Sequence, residues 1–460
     1  MKGDFTRLTF DPAQHFSRVL LQQGRVLLDA DFNEQVALSA YALRRLTRDL
    51  LGPHAGPAAS GLPAFYASAA LDANNTPTGH LSLNAGRYYV DGLPAETTLA
   101  LDLNPKDDLN MAAGPLYLLY LDVWEEHITW LEDDQLREPA LGGVDTTTRT
   151  RIAYKIGAAQ LNPDAKVTDE PSASGWLDEN LRRWPRGENV GGPQLLPQLQ
   201  AWTTQQAAND DVPCVADPAG GYRGLENQLY RVEIHAPGNA SAGTKATFKW
   251  SRENGSVTAA WTDTQGNDVI IDGIHDTAHG FAAGQWVELT SFDQQHAGLA
   301  GALVRLVKVE GMRLSVDPAT ALPPRPDDAQ HPIVRRWDHR DPGTGANGFS
   351  NGAIVLNDPA AEYYLEAGIK IAFPPLPAGA AGAAQYDTGD YWLIPARTAT
   401  ADILWPRVDT ATGKDSYTAR EPDGVEHVYA PLALVNWDGN KTVDVKKTLQ
   451  FTINPLVTPT

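Results

Sequence analysis

Two overlapping glycine patterns match signatures of nucleotide binding and of ester hydrolysis. Residues 343–348 have the spacing of a dinucleotide-binding turn, and residues 348–352 (Gly-Phe-Ser-Asn-Gly) have that of a serine-hydrolase elbow. Both sites need a strand that turns directly into a helix, because helix amides hold the phosphate and the sharp turn exposes the serine. Here Asp341-Pro342 precedes the patterns and the strand-like run 353–356 follows them. The context therefore predicts a loop and neither catalytic site.

A histidine pair has the spacing of a metal site. His275 and His279 are four residues apart, which on a helix would place both imidazoles on one face, as zinc ligands often are. The metalloprotease glutamate is absent, and Gly273 and Gly280 bracket the segment. We therefore expect a loop with surface histidines. The same interpretation applies to a second stretch, which contains His331, Asp338 and His339 near Trp337.

Carboxylates and aromatic side chains together suggest sugar chemistry. A glycosidase needs two carboxyl groups at a defined separation, one of them with a raised pKa. The 12 Trp and 15 Tyr could stack on sugar rings, although most should lie in the cores of β domains. The sequence does not reveal which carboxylates meet across a cleft. The candidates are Glu125, Glu126, Glu132, Asp133, Asp134, Asp387, Asp390 and Glu426.

The segment 29–33 (Asp-Ala-Asp-Phe-Asn) resembles the opening of a calcium-binding loop. The match then fails, because Glu34 occupies the position of the tight-turn glycine and Ala40 that of the bidentate glutamate. Asp31 followed three residues later by Glu34 instead fits a capping box that opens a helix. We predict no metal, no cofactor and no catalytic residues in this chain.

An amphipathic helix is predicted directly after this segment. The chain has no Gly or Pro from Phe32 to Leu51, and Gly52-Pro53 supplies a stop signal. Before the helix, Gln23-Gly24 predicts a turn and the apolar run 26–28 a short strand. The helix carries an apolar stripe spaced close to heptads, which packs on the protein's own sheets or faces a partner chain. The stripe consists of Val36, Ala40, Leu43, Leu46 and Leu50, with Gln35, Arg44, Arg45 and Arg48 mostly opposite.

Composition restricts the partners and the compartment. A formal charge of −20 and a pI near 4.9 argue against nucleic acid and anionic membranes, whose binding relies on Lys and Arg. The single cysteine, Cys214, excludes an internal disulfide. The first residues lack the apolar core of a signal peptide, and the longest apolar run, 116–123, is too short to cross a bilayer. We expect a soluble protein made in the cytoplasm.

Short β-branched and aromatic runs between turn residues predict a mainly β, multidomain chain with β-sandwich and small-barrel architecture and one N-terminal amphipathic helix. Runs 230–235 and 247–250 alternate polar and apolar residues around Pro237-Gly238-Asn239 and predict a hairpin. Residues 87–92 predict a strand that enters a turn at Asp91-Gly92, and 116–124 predict a buried strand. Residues 162–220 are expected to form a loop with one short helix. The predicted divisions are an N-terminal strand-turn-helix anchor (1–60), the first part of a β domain (61–161), a loop or linker (162–220), a hairpin region packing with 61–161 (221–273), a small β-barrel (274–320), a second linker (321–352), a C-terminal β region (353–445) and a tail (446–460).

Several long segments resemble one family across nearly the whole chain. It is a bacterial family of undefined function that accompanies phage-tail-like contractile injection systems. The N-terminal block is also similar, more weakly, to the openings of phage baseplate and tail-fibre attachment proteins. The resemblance implies a context and no catalytic residues. The segments that carry it are 1–7 (Met-Lys-Gly-Asp-Phe-Thr-Arg), 22–34, 140–150, 221–235, 248–256, 389–397, 424–427 and 429–432.

The residues and the resemblance lead to one predicted function. The chain is expected to be a non-enzymatic structural subunit of a tail-like contractile particle, at the baseplate or its periphery, as a fibre adaptor, cage or plug. Its partners would be other subunits of the particle and further copies of itself, for example in a trimer. The alternative is a carbohydrate-binding or glycan-hydrolysing β protein displayed on a particle or cell surface. The predicted docking residues are Val19, Leu20, Val26, Leu27, Leu28, Phe32, Val36, Leu43, Leu46 and Leu50.

Overall fold

The computed structural model describes most of the chain. The described residues are 1–58, 61–181, 197–203, 221–240, 244–273, 280–342, 348–357, 361–375, 384–408 and 413–453. Cys214, the histidine pair His275 and His279, most of the dinucleotide-like pattern at 343–348 and the tail from Asn454 lie outside them.

The prediction of a mainly β chain with several β units is confirmed. The α-helices are α1 Asp29–Leu51, α2 Glu170–Asn180 and α3 Phe292–His296. Short 3-10 turns occupy Pro12–Gln14, Asp134–Leu136, Pro139–Leu141, Asp328–Gln330 and Gly413–Ser416. The strands of the first part are β1 His54–Pro57, β2 Ala67–Leu71, β3 Pro77–Leu83, β4 Gly86–Val90, β5 Leu93–Thr97, β6 Leu101–Leu103, β7 Leu116–Ile128, β8 Arg137–Glu138, β9 Val144–Asp145, β10 Arg149–Gln160 and β11 Gln200–Thr203.

The later strands complete the sheets. They are β12 Gln228–Ala236, β13 Thr247–Ser251, β14 Thr258–Gln265, β15 Asp268–Asp272, β16 Trp286–Ser291, β17 Ala302–Glu310, β18 Arg313–Val316, β19 Pro332–Trp337, β20 Phe349–Ser350, β21 Ala353–Val355, β22 Glu362–Tyr364, β23 Ile369–Ala372, β24 Tyr391–Arg397, β25 Asp402–Ile403, β26 His427–Trp437, β27 Val443–Thr448 and β28 Thr452–Ile453. In the described part of the chain, no helix combines the length and the apolar character needed to cross a bilayer.

The first β unit is built around the long strand β7. It lies in the sheet order β10-β7-β26-β27, and β26 returns from the far end of the chain to pair antiparallel with it. One face of this sheet packs on strands β2 to β6, and Leu118 of β7 packs on α2 from the other face. Because both faces are covered, residues 116–124 read as a nearly continuous apolar run. The predicted buried strand is therefore confirmed.

The second β unit is a sandwich of a six-stranded and a three-stranded sheet. The larger sheet has the order β20-β21-β13-β12-β24-β25 and the smaller one the order β11-β23-β22. Buried aromatic rings fill the space between them, among them Phe248, Phe373 and Trp392. The predicted hairpin is confirmed as the antiparallel pair β12 and β13. On its other side β12 pairs with β24, so the hairpin shares a sheet with the C-terminal β region.

The third β unit is a closed barrel with the strand order β14-β15-β18-β17-β16-β19. Val287, Val304 and Val334 contribute to its apolar interior. The barrel extends over residues 258–337, a longer range than the predicted 274–320. Its closure uses β14 and β15, which precede the predicted range, and β19, which lies in the predicted linker. A sheet of this size closes only when every edge strand finds a neighbour, which sequence runs alone do not specify.

The predicted linker and tail also differ from the structure. Residues 162–220 contain the predicted short helix, α2, and also the strand β11, which pairs with β23. The range 446–460 includes part of β27 and all of β28, and β28 pairs in parallel with β1 next to the helix α1. Segments predicted to be a linker or a tail therefore form strands by pairing with segments that are distant in sequence.

Candidate docking site

The first residues of the chain run alongside α1, and residues 6–28 are called the arm here. The Thr6 N–H donates to Asp29 at 2.9 Å and the Thr6 hydroxyl donates to the same carboxylate at 2.5 Å. Further along, the Thr9 hydroxyl donates to Glu34. Although burial acts to raise it, the bonds from Thr6 hold the pKa of Asp29 below its ordinary value. Asp29 and Glu34, in the segment compared above with a calcium-binding loop, therefore accept hydrogen bonds from the arm.

The arm then turns back and leads into the helix. The Val19 N–H donates to Gln35 on α1 at 2.8 Å, and Gly24 adopts a positive φ of 70° in the predicted turn. The Leu28 N–H donates to Asp31 at 3.1 Å and closes the helix start. The arm therefore runs along α1, turns and runs back beside it. It makes hydrogen bonds to the helix on both passes.

Two predictions about this segment are wrong in detail. The helix begins at Asp29, and the capping acid is Asp31 acting on the Leu28 N–H, whereas the predicted box paired Asp31 with Glu34. Glu34 is displaced from that role because it accepts from Thr9. The predicted strand at 26–28 does not form, since these residues approach the helix without a neighbouring strand and are exposed.

The inner face of α1 is attached to the protein body mainly through charges. The Arg44 guanidinium donates to the Asp91 carboxylate at 2.8 Å and to its carbonyl at 3.0 Å, and it also pairs with Glu426. Arg48 pairs with Asp91 at 3.0 Å. Burial outweighs the neighbouring Arg44 charge and raises the pKa of Glu426. On the helix itself, the buried residues are only Ala30 and Leu38.

A tight turn makes this attachment possible. Asp91 and Gly92 form the two-residue connection between β4 and β5, with φ values of 48° and 82°. A Cβ atom at Gly92 would lie 2.4 Å from the Arg44 carbonyl oxygen, so a side chain there would push the helix away. The sequence pattern predicted this turn, but not that it receives α1.

The outer face of α1 is apolar, and none of the described residues covers it. The exposed fractions are 64% for Phe32, 52% for Val36, 65% for Leu43, 55% for Leu46 and 73% for Leu50. The predicted stripe therefore does not pack on the protein's own sheets. In the arm, Leu20, Val26, Leu27 and Leu28 are likewise exposed, and Val19 is half-buried. The ten predicted docking residues together are called the docking face from here on.

The exposed stripe follows the spacing of a coiled-coil seam. Along α1 the positions 32, 36, 39, 43, 46 and 50 are separated alternately by four and three residues, which is the a/d spacing of a heptad repeat. Ser39 is the one polar member. The stripe runs about 27 Å along the helix, from a rise of ~1.5 Å per residue. Two small residues, Ala42 and Ala40, the latter predicted as a member of the stripe, flank these positions and leave room for a second helix to approach. Patches of this kind mark interaction surfaces on soluble proteins.

The serine-hydrolase pattern is excluded by its backbone. Phe349–Ser350 is β20, Ala353–Val355 is β21, and the two pair antiparallel across the turn at Asn351-Gly352. A strand-to-strand hairpin lacks the helix whose amides would support a reacting serine. His339, from the second histidine stretch, is buried, and its Nε2 atom lies 2.6 Å from the Gly352 carbonyl oxygen. Burial lowers the pKa of His339 to about 4.

Two of the candidate carboxylates meet a histidine that sequence reasoning missed. Ligand atoms of Glu126, Glu132 and His296 all lie within 4.8 Å of one another beside a cavity of about 300 Å³. The His296 Nδ1 atom is 2.5 Å from Glu126, which also accepts from Arg151. Burial raises the pKa of Glu132 to about 7. His296 ends α3 in the barrel, so no local pattern links it to Glu126 on β7 or to Glu132 after that strand.

The other candidate acids serve local structure. Asp133 accepts from the Gln135 N–H, Asp134 pairs with Arg137, and Asp390 accepts from the Asp387 N–H. Aromatic platforms for sugars are also scarce, because no tryptophan within the described residues is exposed; Trp130, Trp176 and Trp286 are half-buried and the rest are buried. These side chains build cores and turns.

Comparison with known proteins adds a family without an assigned activity. The model of DUF6519, a family of unknown function, matches residues 1–172 and 188–443. The chain belongs to this family. No curated protein and no solved structure matches it. The DUF6519 match covers the arm, α1 and their contacts on the body, so the docking face lies within the shared region. The predicted association with contractile particles stays a prediction.

Proposed function

We propose that this DUF6519 protein is a non-enzymatic structural subunit of a phage-tail-like contractile injection particle. It would sit at the baseplate or its periphery, as a fibre adaptor, cage or plug, and dock through its N-terminal segment. The observation that carries the proposal is the inverted helix α1, whose charged residues Arg44 and Arg48 face the body while its leucines face outward. A helix that only covered its own core would have the opposite arrangement.

The heptad spacing suggests that the helix docks against another helix. Knobs-into-holes packing needs a seam of period 3.5, and a helix lying in a groove is a recurrent mode of recognition. Further copies of this chain, for example in a trimer, would bury the stripe symmetrically, and neighbouring subunits of the particle could cover the arm. The chain would be made in the cytoplasm and act in a particle that stays there or is released.

Substitution of the stripe tests the proposal more cleanly than deletion. Removing residues 1–53 would also remove Lys2, which pairs with the buried Glu233 at 3.1 Å. The triple variant Leu43→Gln, Leu46→Gln and Leu50→Gln keeps good helix formers on an exposed face. A matched control makes the same change at leucines that are exposed elsewhere, namely Leu99, Leu141 and Leu225.

Purified contractile particles are then analysed by quantitative mass spectrometry. We expect the wild type and the control triple to be found in particles, and the stripe triple to be at least tenfold depleted. Absence of the wild-type chain from particles that keep their baseplates would refute the particle assignment. Normal incorporation of the stripe triple would refute the docking face. Sedimentation of the isolated protein measures whether the same triple dissociates a homo-oligomer.

One observation favours the alternative, a glycan hydrolase. Glu132, with its pKa raised to about 7, and Glu126, with its pKa held below the ordinary value despite burial, have the opposed shifts expected of an acid and its partner carboxylate. Against hydrolysis, the Glu126 carboxylate is already paired with His296 and Arg151. Release of reducing sugar from a panel of bacterial glycans, lost in Glu132→Gln and retained in Glu125→Gln, would support hydrolysis.

A further inference from the structure

A group of buried charges fills the junction between the six-stranded sheet and the barrel. Glu233 on β12 accepts from Arg231 at 2.6 Å and pairs with Lys2 at 3.1 Å and with Lys249 at 3.4 Å. Lys249 also donates to Glu288 of the barrel at 2.6 Å. These five residues are called the junction cluster. Three cations share two carboxylates, so the cluster already carries an excess of positive charge.

Arg335, on β19 of the barrel, adds a further cation to this region. It is only 3% exposed. Its Nη1 atom donates to the Gly255 carbonyl oxygen, and its Nε atom is buried without a hydrogen-bond partner. Among the described residues no carboxylate lies within ion-pair distance of Arg335. A buried guanidinium that lacks an anion is unfavourable, because the interior does not replace the hydration it loses.

A second unsatisfied donor lies close to the first. The Gln295 Nε2 atom is buried without a partner, while its Oε1 atom accepts from Lys2 at 3.1 Å. Lys2 and Arg335 also approach the same point of the backbone, since a Cβ at Gly255 would lie 3.8 Å from the Lys2 Cδ and 3.6 Å from the Arg335 Cδ. Both donors line one cavity of about 260 Å³, together with Met1, Lys2 and Arg231.

Three of the four acids that line this cavity are engaged by other residues, and the fourth, Glu125, is exposed to solvent. Glu126 pairs with Arg151 and His296, and Glu426 pairs with Arg44. Asp423 pairs with Arg420 and accepts from the Leu393 N–H. Burial lowers the pKa of Lys2 to about 7 and that of Arg335 to about 10; the Glu233 carboxylate opposes both shifts, and nearby cations add to them. Within the described residues, Arg335 is thus left without an ion-pair partner of its own.

We propose that this cavity binds a small oxyanion, through N–H donors on Arg335 and Gln295 and the positive charges of Lys2 and Arg231. A guanidinium N–H and a carboxamide N–H suit the oxygens of a phosphate or a carboxylate group. The volume lies below the range of about 300–1,000 Å³ that is usual for larger organic ligands. The ligand is therefore inorganic phosphate or a short organic acid. This inference does not depend on the proposed function.

The test measures thermal unfolding of the full chain in sodium phosphate, in sodium acetate and in sodium chloride at equal pH and ionic strength. A ligand that binds the folded state raises its Tm in proportion to the logarithm of its concentration. We expect phosphate or acetate to raise the Tm by a few degrees relative to chloride. The phosphate arm identifies a phosphate group and the acetate arm a carboxylate. Equal Tm values in all three salts would overturn the proposal.

Variants locate the site. Gln295→Leu and Arg335→Met should each weaken the titrated affinity at least tenfold, whereas Arg87→Gln, at an exposed arginine of β4, should leave it unchanged. Gln295 is half-buried on the surface helix α3 and carries the test if Arg335→Met fails to fold. An unchanged affinity in Gln295→Leu would overturn the assignment, because the anion would then bind elsewhere.

Discussion

Helix α1 and the junction cluster distribute their side chains in opposite ways. On α1 the leucines point to solvent and the arginines face the body. At the junction, charged groups such as Glu233 and Lys249 are only 2% exposed, between two β units. The usual expectation is apolar inside and charged outside. Both regions depart from this expectation. Only at the junction do most of these side chains find partners among the described residues of the protein.

The difference lies in where the compensating groups are found. At the junction, the partners of Glu233 come from β12, β13 and the chain start, so the charges are largely satisfied inside the molecule. No described part of the chain covers Leu43 or Leu50, which is why we propose that another molecule covers α1. Arg335 belongs to the second type, which is why an external ligand is inferred there as well. In both places, a group without a partner among the described residues is the reason for proposing a second molecule.

The largest expected effect comes from the junction cluster. Although burial acts to raise it, Lys2 and Arg231 hold the pKa of Glu233 well below its ordinary value. Glu233→Gln would leave these cations buried without their carboxylate, and we expect the free energy of unfolding to fall by about 3–5 kcal/mol. Urea denaturation measures it. The exposed Glu96, which pairs with Arg87, is the control, and Glu96→Gln should cost under ~1 kcal/mol. Equal losses would show that the cluster is not specially stabilising.

The next comparison uses one residue type on one helix. Leu38 is 5% exposed and Leu43 is 65% exposed. Leu38→Ala should lower the unfolding free energy by about 2–4 kcal/mol through the cavity it leaves, and Leu43→Ala by no more than ~0.5 kcal/mol. Denaturation at micromolar and submicromolar protein concentrations measures both. A large loss for Leu43→Ala that grows with protein concentration would indicate a self-interface at the outer face.

A smaller effect is expected from the pH dependence of Glu132. Its pKa is raised by burial from 4.5 to about 7 in the folded state. Between pH 4.5 and 7 the unfolded chain releases this proton while the folded protein keeps it, so stability falls as the pH rises. Glu132→Gln should abolish a loss of roughly 1–2 kcal/mol, after allowance for solvent screening of a half-buried group. Unfolding curves across this range test it, and Glu125→Gln should keep the wild-type slope.

The smallest effect concerns the arm. Thr6→Val removes the hydroxyl bond to Asp29, at the exposed start of α1. We expect under ~1 kcal/mol in global stability, because the bond is exposed to solvent. Amide hydrogen exchange should nevertheless speed up several-fold in the arm. The matched variant Thr262→Val removes an exposed hydroxyl bond within the barrel and should leave the arm unchanged. Unchanged exchange in Thr6→Val would mean that other contacts hold the arm.

Local chemistry explains what the sequence predicted well. The hairpin at 230–250, the turn at Asp91-Gly92 and the helix ending before Gly52 all depend on neighbours a few residues apart. Alternation, positive φ and helix stop signals are visible at that distance. The predicted helix start was less accurate, and Glu34, the predicted capping acid, accepts a hydrogen bond from Thr9 of the arm. Even one such contact from outside the helix changes which acid acts as the cap.

The candidate sites show the same limit more strongly. The stripe on α1 was predicted residue by residue, but periodicity could not decide between packing on the chain's own sheets and exposure. His296 could not be placed beside Glu126, since one follows a barrel strand and the other lies on β7. Arg335 gave no signal at all, because an arginine without a carboxylate partner is recognised only once its surroundings are known. The fate of a charge depends on the whole neighbourhood.

The mainly β class, the amphipathic helix and the apolar residues on one of its sides could all be predicted, because they follow from periodicity along a single segment. Contacts between distant segments were needed to show that Arg44 and Asp91 turn that side outward and that the barrel closes through β19. The tertiary structure also showed that Arg335 is buried without an anion. These outcomes depend on groups brought together from distant parts of the chain, and their energies are set by burial and charge in the folded state.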